Sequence, residues 1–392
     1  MNDNESVLYC PACGEKSLYL IDWEYSGLND SIFNYTADLF ECPYCGLVYI
    51  ANITDDRLSI FYAKECSYFE KSHFDISAPE NIQKYKCYRE IIVNAGLSDT
   101  SITDVGCGRG GFLIWLKNND WNANCQGIDV DLKSIPNIEA NRCERKVSIT
   151  FQEGRAIPLP FTNGSQSLLT YFHVLEHIKN LDKVLKEAFR VLNETGHIMI
   201  EVPDAERYKD FPIGTAFWIS IREHVYHFSP SAICNALYRN GFDVISINKN
   251  LLPTPEFSYP SLIILARKGD TKRKPDICKS RDIASFVIQS KEDLKDQVLK
   301  VLKFSSKFSL LTFWGCSSEF FSLLPIMNLH HFALCDSSKI KQKCYYRRIP
   351  IDDPSTTRKN GALIVASYLH GDAIEKSAME QGWSKEAIFR LK

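Results

Sequence analysis

Hydrophobic and polar positions change their spacing along this chain, and the changes divide it. From Ser101 to Lys268, short apolar runs alternate with stretches of helical spacing. Ile102, Thr103 and Val105 form a short apolar-plus-Thr run with Asp104 near its end. Phe112, Leu113, Trp115 and Leu116 then recur as one face of a helix. Further strand-like runs end near Asp129, follow Ile149, cover 167–172 and cover 197–202, with a helical pattern over 181–192. Strand and helix in alternation predict a mostly parallel, doubly wound α/β sheet. Local signals punctuate it. Asn193–Glu194–Thr195–Gly196 reads as a helix exit with Gly196 in the left-handed region. Ser229 followed by Pro230 reads as an N-cap and first helical position. Upstream, a connecting segment rich in aromatics (Phe61, Tyr62, Tyr68, Phe69, Phe74) leads to a helix over 79–95. These rings are expected to pack between domains, with Tyr68 or His73 available to a substrate cleft. Downstream, a charged linker over 269–283 containing Pro275 precedes a helix over 283–304 and a second strand–helix–strand unit.

The first fifty residues follow another logic. Cys10 and Cys13, then Cys42 and Cys45, form two C-P-x-C-G units, with a loosely alternating segment over 18–40 between them. Two such knuckles supply four tetrahedral thiolates, so residues 1–60 are expected to form a ribbon around a structural Zn2+. A redox role for C-x-x-C remains open, though it must explain two copies each followed by glycine.

Composition narrows the class. The chain has 392 residues, enough for two or three domains. It carries 46 basic and 48 acidic residues, a net of −2, which argues against a polyanion or nucleic-acid partner. The opening residues are polar and acidic, unlike a signal peptide, and apolar runs such as 262–266 are too short to span a bilayer. The expected setting is cytoplasmic, with no membrane partner and with most of the 14 cysteines reduced.

The chemistry concentrates where the first run ends. Asp104, Gly106, Gly108, Gly110 and Gly111 make a sharp turn between strand and helix, suited to close backbone approach by a ligand. Alone this is either a nucleotide site or an ordinary turn. Asp129, about twenty residues on at the next strand's end, sits where an acid can bind a ribose diol. The D-x-G-C-G-x-G-x-F pattern resembles motif I of class I S-adenosylmethionine-dependent methyltransferases, with Asp104, Gly106, Gly108 and Asp129 matching in place. Residues 149–161, the H-x-L-E-H-I of 173–178 and the R-V-L…G…V-P stretch over 190–203 follow in that family's order. The resemblance implies S-adenosyl-L-methionine as cofactor, held by Asp104, Gly106, Gly108, Gly110, Asp129 and His173, with His177 capping a helix. Two positions depart from it: Arg155 and Ser167 stand where acids are usual.

A polar cluster, Ile221–Arg222–Glu223–His224–Val225–Tyr226–His227, precedes Ser229. Read alone, its histidines either act on a substrate or simply pack at a loop. An N-terminal zinc-binding region, this core, an E-H-x-x-(aromatic)-F-S segment and a further α/β unit together resemble the deoxysugar C-methyltransferases. That resemblance implies a ribbon over 1–60, a methyltransferase domain over 61–268 and a Rossmann-like substrate or interaction domain over 280–392. It implies C-methylation of a sugar or nucleotide-linked keto-sugar, with His224 as base and Glu223 beside it. The family's tyrosine two positions before the glutamate is Ile221 here. Other open readings are O- or N-methylation of another small molecule, or a methyltransferase-fold binding protein without activity. In the last unit the glycine-rich turn is missing, so no cofactor is expected there. Asp336 would be its ribose acceptor if it had one, and Lys339, Lys341, Arg347 and Arg348 its phosphate partners, although exposed cations are commonly just solvated.

Overall fold

The computed structural model describes residues 7–65, 75–132, 149–211, 213, 216–254, 257–269 and 279–391. Tyr68, Phe69, His73 and Phe74, and the linker residues 270–278, lie outside these. Residues 18–50 form three antiparallel strands, β1 (Leu18–Tyr25), β2 (Tyr35–Glu41) and β3 (Val48–Ile50). α1 (Asp55–Lys64) and α2 (Pro79–Asn94) lead into a seven-stranded sheet. Thr54 opens α1 by accepting the Arg57 amide at 3.1 Å. A boundary at 60/61 is therefore wrong, because it cuts through α1.

The sheet is built from β4 (Ile102–Val105), α3 (Gly111–Asn118), β5 (Cys125–Asp129), β6 (Ile149–Glu153), β7 (Gln166–Phe172), α4 (Leu181–Val191) and β8 (Leu192–Pro203). After these come β9 (Tyr226–His227), α5 (Pro230–Arg239), β10 (Phe242–Pro253) and β11 (Ser258–Lys268). The strand order is β10-β11-β8-β7-β4-β5-β6. The five strands from β8 to β6 are parallel, whereas β11 and β10 close the edge as an antiparallel pair. Neighbouring residues of the central strands feed opposite faces. Leu169, Ile198 and Ile264 join one buried cluster, while Leu168, Met199 and Ile263 join another beneath α2 and α3. That two-sided burial is why these strands read as continuous apolar runs. β4 lies between β5 and β7, so the chain reverses its winding there, and ligands of such sheets bind at the carboxyl ends beside that reversal.

Two details correct the sequence reading. β9 does not join this sheet. It pairs with β3, so the segment carrying His224 is stitched to the ribbon. Gly196 is not left-handed: α4 ends at Val191 and the chain passes straight into β8. A bulge there absorbs the extra residues, and glycine is needed because a Cβ would come within 2.8 Å of Leu192 Cβ.

The C-terminal unit starts with α6 (Asp282–Ser305), β12 (Leu311–Trp314), α7 (Ser318–Met327), β13 (Ala333–Cys335), β14 (Tyr345–Tyr346) and β15 (Ile349–Asp352). It ends with β16 (Ala362–Val365), α8 (Gly371–Glu380) and β17 (Ile388–Arg390). Its strand order is β14-β15-β13-β12-β16-β17, parallel except for β14. One continuous buried cluster runs from Cys10 through the central sheet to Leu391.

Candidate functional site

The glycine turn leaves β4 with Gly106, Gly108 and Gly110 all in the left-handed region, at φ 76°, 54° and 69°. Their surroundings differ. A Cβ on Gly106 would lie 2.5 Å from Val174 Cγ2, and one on Gly110 would lie 2.4 Å from the Phe151 ring. Among the described residues, a Cβ on Gly108 would meet nothing within 4 Å. Gly108 thus presents bare backbone to an opening. Its amide donates to Asp129 Oδ2 at 2.8 Å, and the Asp131 amide donates to Asp129 Oδ1 at 3.1 Å. The carboxylate is held at the end of β5 by these amides, with the Val130 amide also acting on it. Burial pushes its pKa up. Asp104 lies beneath the turn and accepts from Thr170 Oγ1 at 2.6 Å. Burial, reinforced by the nearby Asp129 charge, lifts it to about 7.

The second half of the site comes from the end of β7. His173 adopts φ 55°, a strained conformation for a side-chain-bearing residue, and a single 3-10 turn over Leu175–His177 follows. Val174, against which Gly106 packs, lies between His173 and Glu176, so the turn and this segment touch. The His173 ring stands between two buried carboxylates, with Nδ1 at 3.0 Å from Glu176 Oε1 and Nε2 at 3.4 Å from Glu201 Oε2. Burial opposes its charge, but Glu176 and Glu201 outweigh burial and lift it to about 10. Glu201 also accepts from Ser261 Oγ at 2.6 Å and from the Tyr88 hydroxyl. Burial favours its neutral form, yet these donors and His173 hold its pKa below the ordinary carboxylate value.

His224 arrives from the strap between the sheets. The Ile50 amide donates to the Val225 carbonyl at 2.9 Å, and the Val225 amide donates to the Glu176 carbonyl at 2.7 Å. This two-sided pairing seats the His224 ring 4.8 Å from the His177 ring, centroid to centroid. Burial, then the neighbouring histidines His177, His227 and His173, keeps His224 well below its usual pKa, hence neutral. Glu223 contributes its carbonyl, which lies 3.2 Å from His177 Nδ1; a carbonyl can only accept, so Nδ1 carries the hydrogen. The carboxylate that gathers with the two histidines is instead that of Glu176, fully buried, with Oε2 lacking any hydrogen bond. His177 therefore does not cap a helix; it packs into this cluster. Glu176 and Glu201 were missed as site residues. Glu201 had a legible signal, being the one charge inside the apolar run Ile198–Met199–Ile200–Glu201–Val202.

The two departures are also placed. Ser167 opens β7 at the edge opposite the turn, about 20 Å of strand from His173, so it has no bearing on a ligand at Gly108. Arg155 is exposed in the loop after β6.

Cys10, Cys13, Cys42 and Cys45 converge in a buried group with Sγ–Sγ distances of 3.6 Å (Cys10–Cys45) and 3.3 Å (Cys13–Cys42). Zinc–thiolate bonds of about 2.3 Å require tetrahedral edges of about 3.8 Å, so the set fits such an ion. The knuckles are alike: Gly14 and Gly46 are left-handed, and their amides donate to the Cys10 and Cys42 carbonyls at 2.9 Å. Hydrogen bonding between the thiols pushes Cys13 and Cys42 toward thiolate and Cys10 and Cys45 away from it.

The C-terminal unit repeats the lock without the opening. Asp336 accepts the Cys316 and Ser338 amides at 2.8 Å each. Lys341 Nζ stands 3.2 Å from Asp336 and 2.9 Å from the Cys316 carbonyl, filling the ribose position. Lys339 is paired with Asp353, and Arg347 covers the Tyr346 ring.

Comparison with known proteins places the central region. Residues 81–247 match a family described as a methyltransferase domain. Ajmaline N-methyltransferase of Rauvolfia serpentina is 27% identical over 123 residues, 30% of this chain and 41% of that protein. Demethylmenaquinone methyltransferase of Lactobacillus johnsonii is 29% identical over 126 residues, 31% and 50% of the two chains. The chain thus spans half or less of the length of these relatives. The solved structure of an S-adenosylmethionine-dependent methyltransferase from Methanosarcina mazei aligns with 46% of this chain and 97% of its own, at TM-score 0.40 and 20% identity. The stretch from α2 into β10, which holds both halves of the site, is the part of the chain that matches a methyltransferase domain.

Proposed function

We propose that this chain transfers a methyl group from S-adenosylmethionine to a small-molecule acceptor. One observation carries the reading: the Gly108 amide and the Asp129 carboxylate are locked together beside an opening, directly against the segment that bears Glu176 and His177. Asp129 would hold the cofactor's ribose through its carboxylate, and the bare backbone at Gly108 would admit the methionine portion. The bound cofactor supplies an electrophilic methyl group; the protein's task is alignment and control of the acceptor's proton. A sugar or nucleotide-linked keto-sugar, methylated at carbon, is the acceptor class that the sequence resemblance supports. His224, kept neutral and seated beside the buried Glu176, would take that proton. In the same reading the four ribbon cysteines hold a structural Zn2+, since four thiolates leave no open position.

Calorimetric titration with S-adenosylmethionine and S-adenosylhomocysteine tests this. Wild type is expected to bind at micromolar concentrations. Asp129→Ala should bind at least a hundredfold more weakly while remaining folded, with a melting temperature lowered by the loss of its two amide hydrogen bonds. A folded, zinc-loaded wild type that binds neither compound would overturn the proposal.

A further inference from the structure

Three side chains that converge between β7 and the strap have the makings of a ligand set. Glu176, His177 and His224 each offer an atom within 4.8 Å of the others, in a place shut off from bulk solvent. Glu176 is 0% exposed and His224 6% exposed, yet among the described residues Glu176 Oε2 and His224 Nδ1 have no hydrogen-bond partner. Buried polar atoms in folded proteins are almost always satisfied, and an unpartnered carboxylate oxygen is among the costliest to leave alone. The Tyr208 hydroxyl, also buried and unpartnered, feels the charge of Glu176.

What surrounds the three groups orients them. His173 Nδ1 takes up Glu176 Oε1 at 3.0 Å and leaves Oε2 as the free oxygen. His177 gives its Nδ1 hydrogen to the Glu223 carbonyl, which leaves a lone pair on Nε2, on the side where Glu176 Oε1 lies 3.9 Å away. Ligand histidines characteristically donate their far nitrogen to a carbonyl or carboxylate, and ligand carboxylates are themselves hydrogen-bonded. The His177 and His224 rings meet nearly edge to face, at 72°, as two imidazoles on one ion can.

We infer that Glu176, His177 and His224 bind a divalent first-row cation, of the manganese, iron(II) or zinc kind, between β7 and the strap. Two imidazoles and one carboxylate suit such ions and leave coordination positions free. An acceptor oxygen bound there would be made more acidic by the ion, as a Lewis acid does. The inference goes beyond the proposed function, because it makes His224 a ligand rather than a free base.

The test uses the full-length, zinc-loaded protein and Mn2+ as probe, a hard ion that leaves the ribbon thiolates alone. Bound Mn2+ is counted by electron paramagnetic resonance. Wild type should bind one Mn2+ per chain, and Glu176→Gln and His177→Gln should each bind at least tenfold more weakly. Both variants are checked for folding by circular dichroism and melting; each should remain folded at the assay temperature, Glu176→Gln with a lowered melting temperature because it loses its buried ion pair with His173. Absence of Mn2+ and of any Zn2+ beyond the ribbon equivalent in wild type overturns the inference, as does undiminished binding in both variants. Mn2+ bound without any cofactor binding would leave the metal site standing and remove the methyl-transfer reading. Cofactor bound, with turnover undiminished after exhaustive chelation, would do the reverse and return His224 to the role of base.

Discussion

A single buried ring shows how far environment, rather than residue type, decides behaviour here. His227 is fully buried, neither of its nitrogens has a partner, and it meets the Tyr208 ring edge to face. Burial pushes its pKa down to about 4. Because the folded value lies below the unfolded one, near 6.5, the native state resists a proton that the unfolded chain accepts. The associated stability is intact above about pH 6.5 and is lost as the pH falls toward 4, on the order of 3 kcal/mol at the limit. His227→Phe removes this slope, while any packing cost it brings is independent of pH. In urea denaturation at pH 7, 5.5 and 4.5, the variant is expected to gain on wild type at each step down. Parallel losses in the two proteins would sink the argument. His173 shows the opposite outcome from comparable burial, since two carboxylates hold it charged. Both histidines look alike in the sequence; nothing local says that Glu201, 28 positions away, will stand beside one of them.

Elements were legible in proportion to the number of apolar faces they present. β4, β7, β8 and β11 are buried on both faces and announced themselves as runs of Val, Ile and Leu. The glycine turn and Asp129 were legible too, because glycine adopts those backbone angles without strain and a carboxylate there can accept the turn's amides. β9 was not. Two residues carry no period, and their partner β3 lies more than 170 positions earlier. The start of α5 was read correctly from Ser229 and Pro230, but the serine does more than its local pattern implied. Its hydroxyl accepts the Ala232 amide at 2.9 Å and donates to the Cys45 carbonyl at 2.5 Å. One oxygen thus caps a helix and anchors the backbone of the second cysteine knuckle. Ser229→Ala should cost more than an ordinary cap, about 2 kcal/mol or slightly above, and should weaken metal retention by the cysteines. Denaturant melts together with competition against a chromophoric chelator would show both effects. A loss confined to stability, with metal retention unchanged, would mean that the Cys45 contact is idle.

At the scale of the whole molecule, the ribbon is a wedge rather than an appendage, which the sequence concealed by listing it first. Toward the core it pairs β3 with β9, and Arg239 of α5 donates to the Pro11 and Ala12 carbonyls at 3.1 Å. Toward the C-terminal unit, Glu41 pairs with Arg281 and Glu24 with Lys291, and Ser26 Oγ donates to the Phe321 carbonyl at 2.8 Å. Arg222 stands where all three meet, over the rings of Phe33, Phe61 and Phe321, and donates to the Ser26 carbonyl at 2.9 Å. Arg222 lies two residues before His224, so the seat of that histidine depends on the ribbon being folded. The continuous buried cluster makes the same point energetically, because no apolar seam separates the units. Loss of the Zn2+ proposed for the ribbon should therefore be felt throughout. Structural zinc sites in isolated peptides supply about 10 kcal/mol of folding free energy. Cys42→Ser should accordingly lower the melting temperature by on the order of 10 °C, in a single calorimetric transition. Cofactor affinity at Asp129 should survive in the variant below that transition, while turnover falls because the strap holding His224 has lost its partner strand. Two separate transitions, with the larger unmoved from wild type, would mean that the three units merely touch.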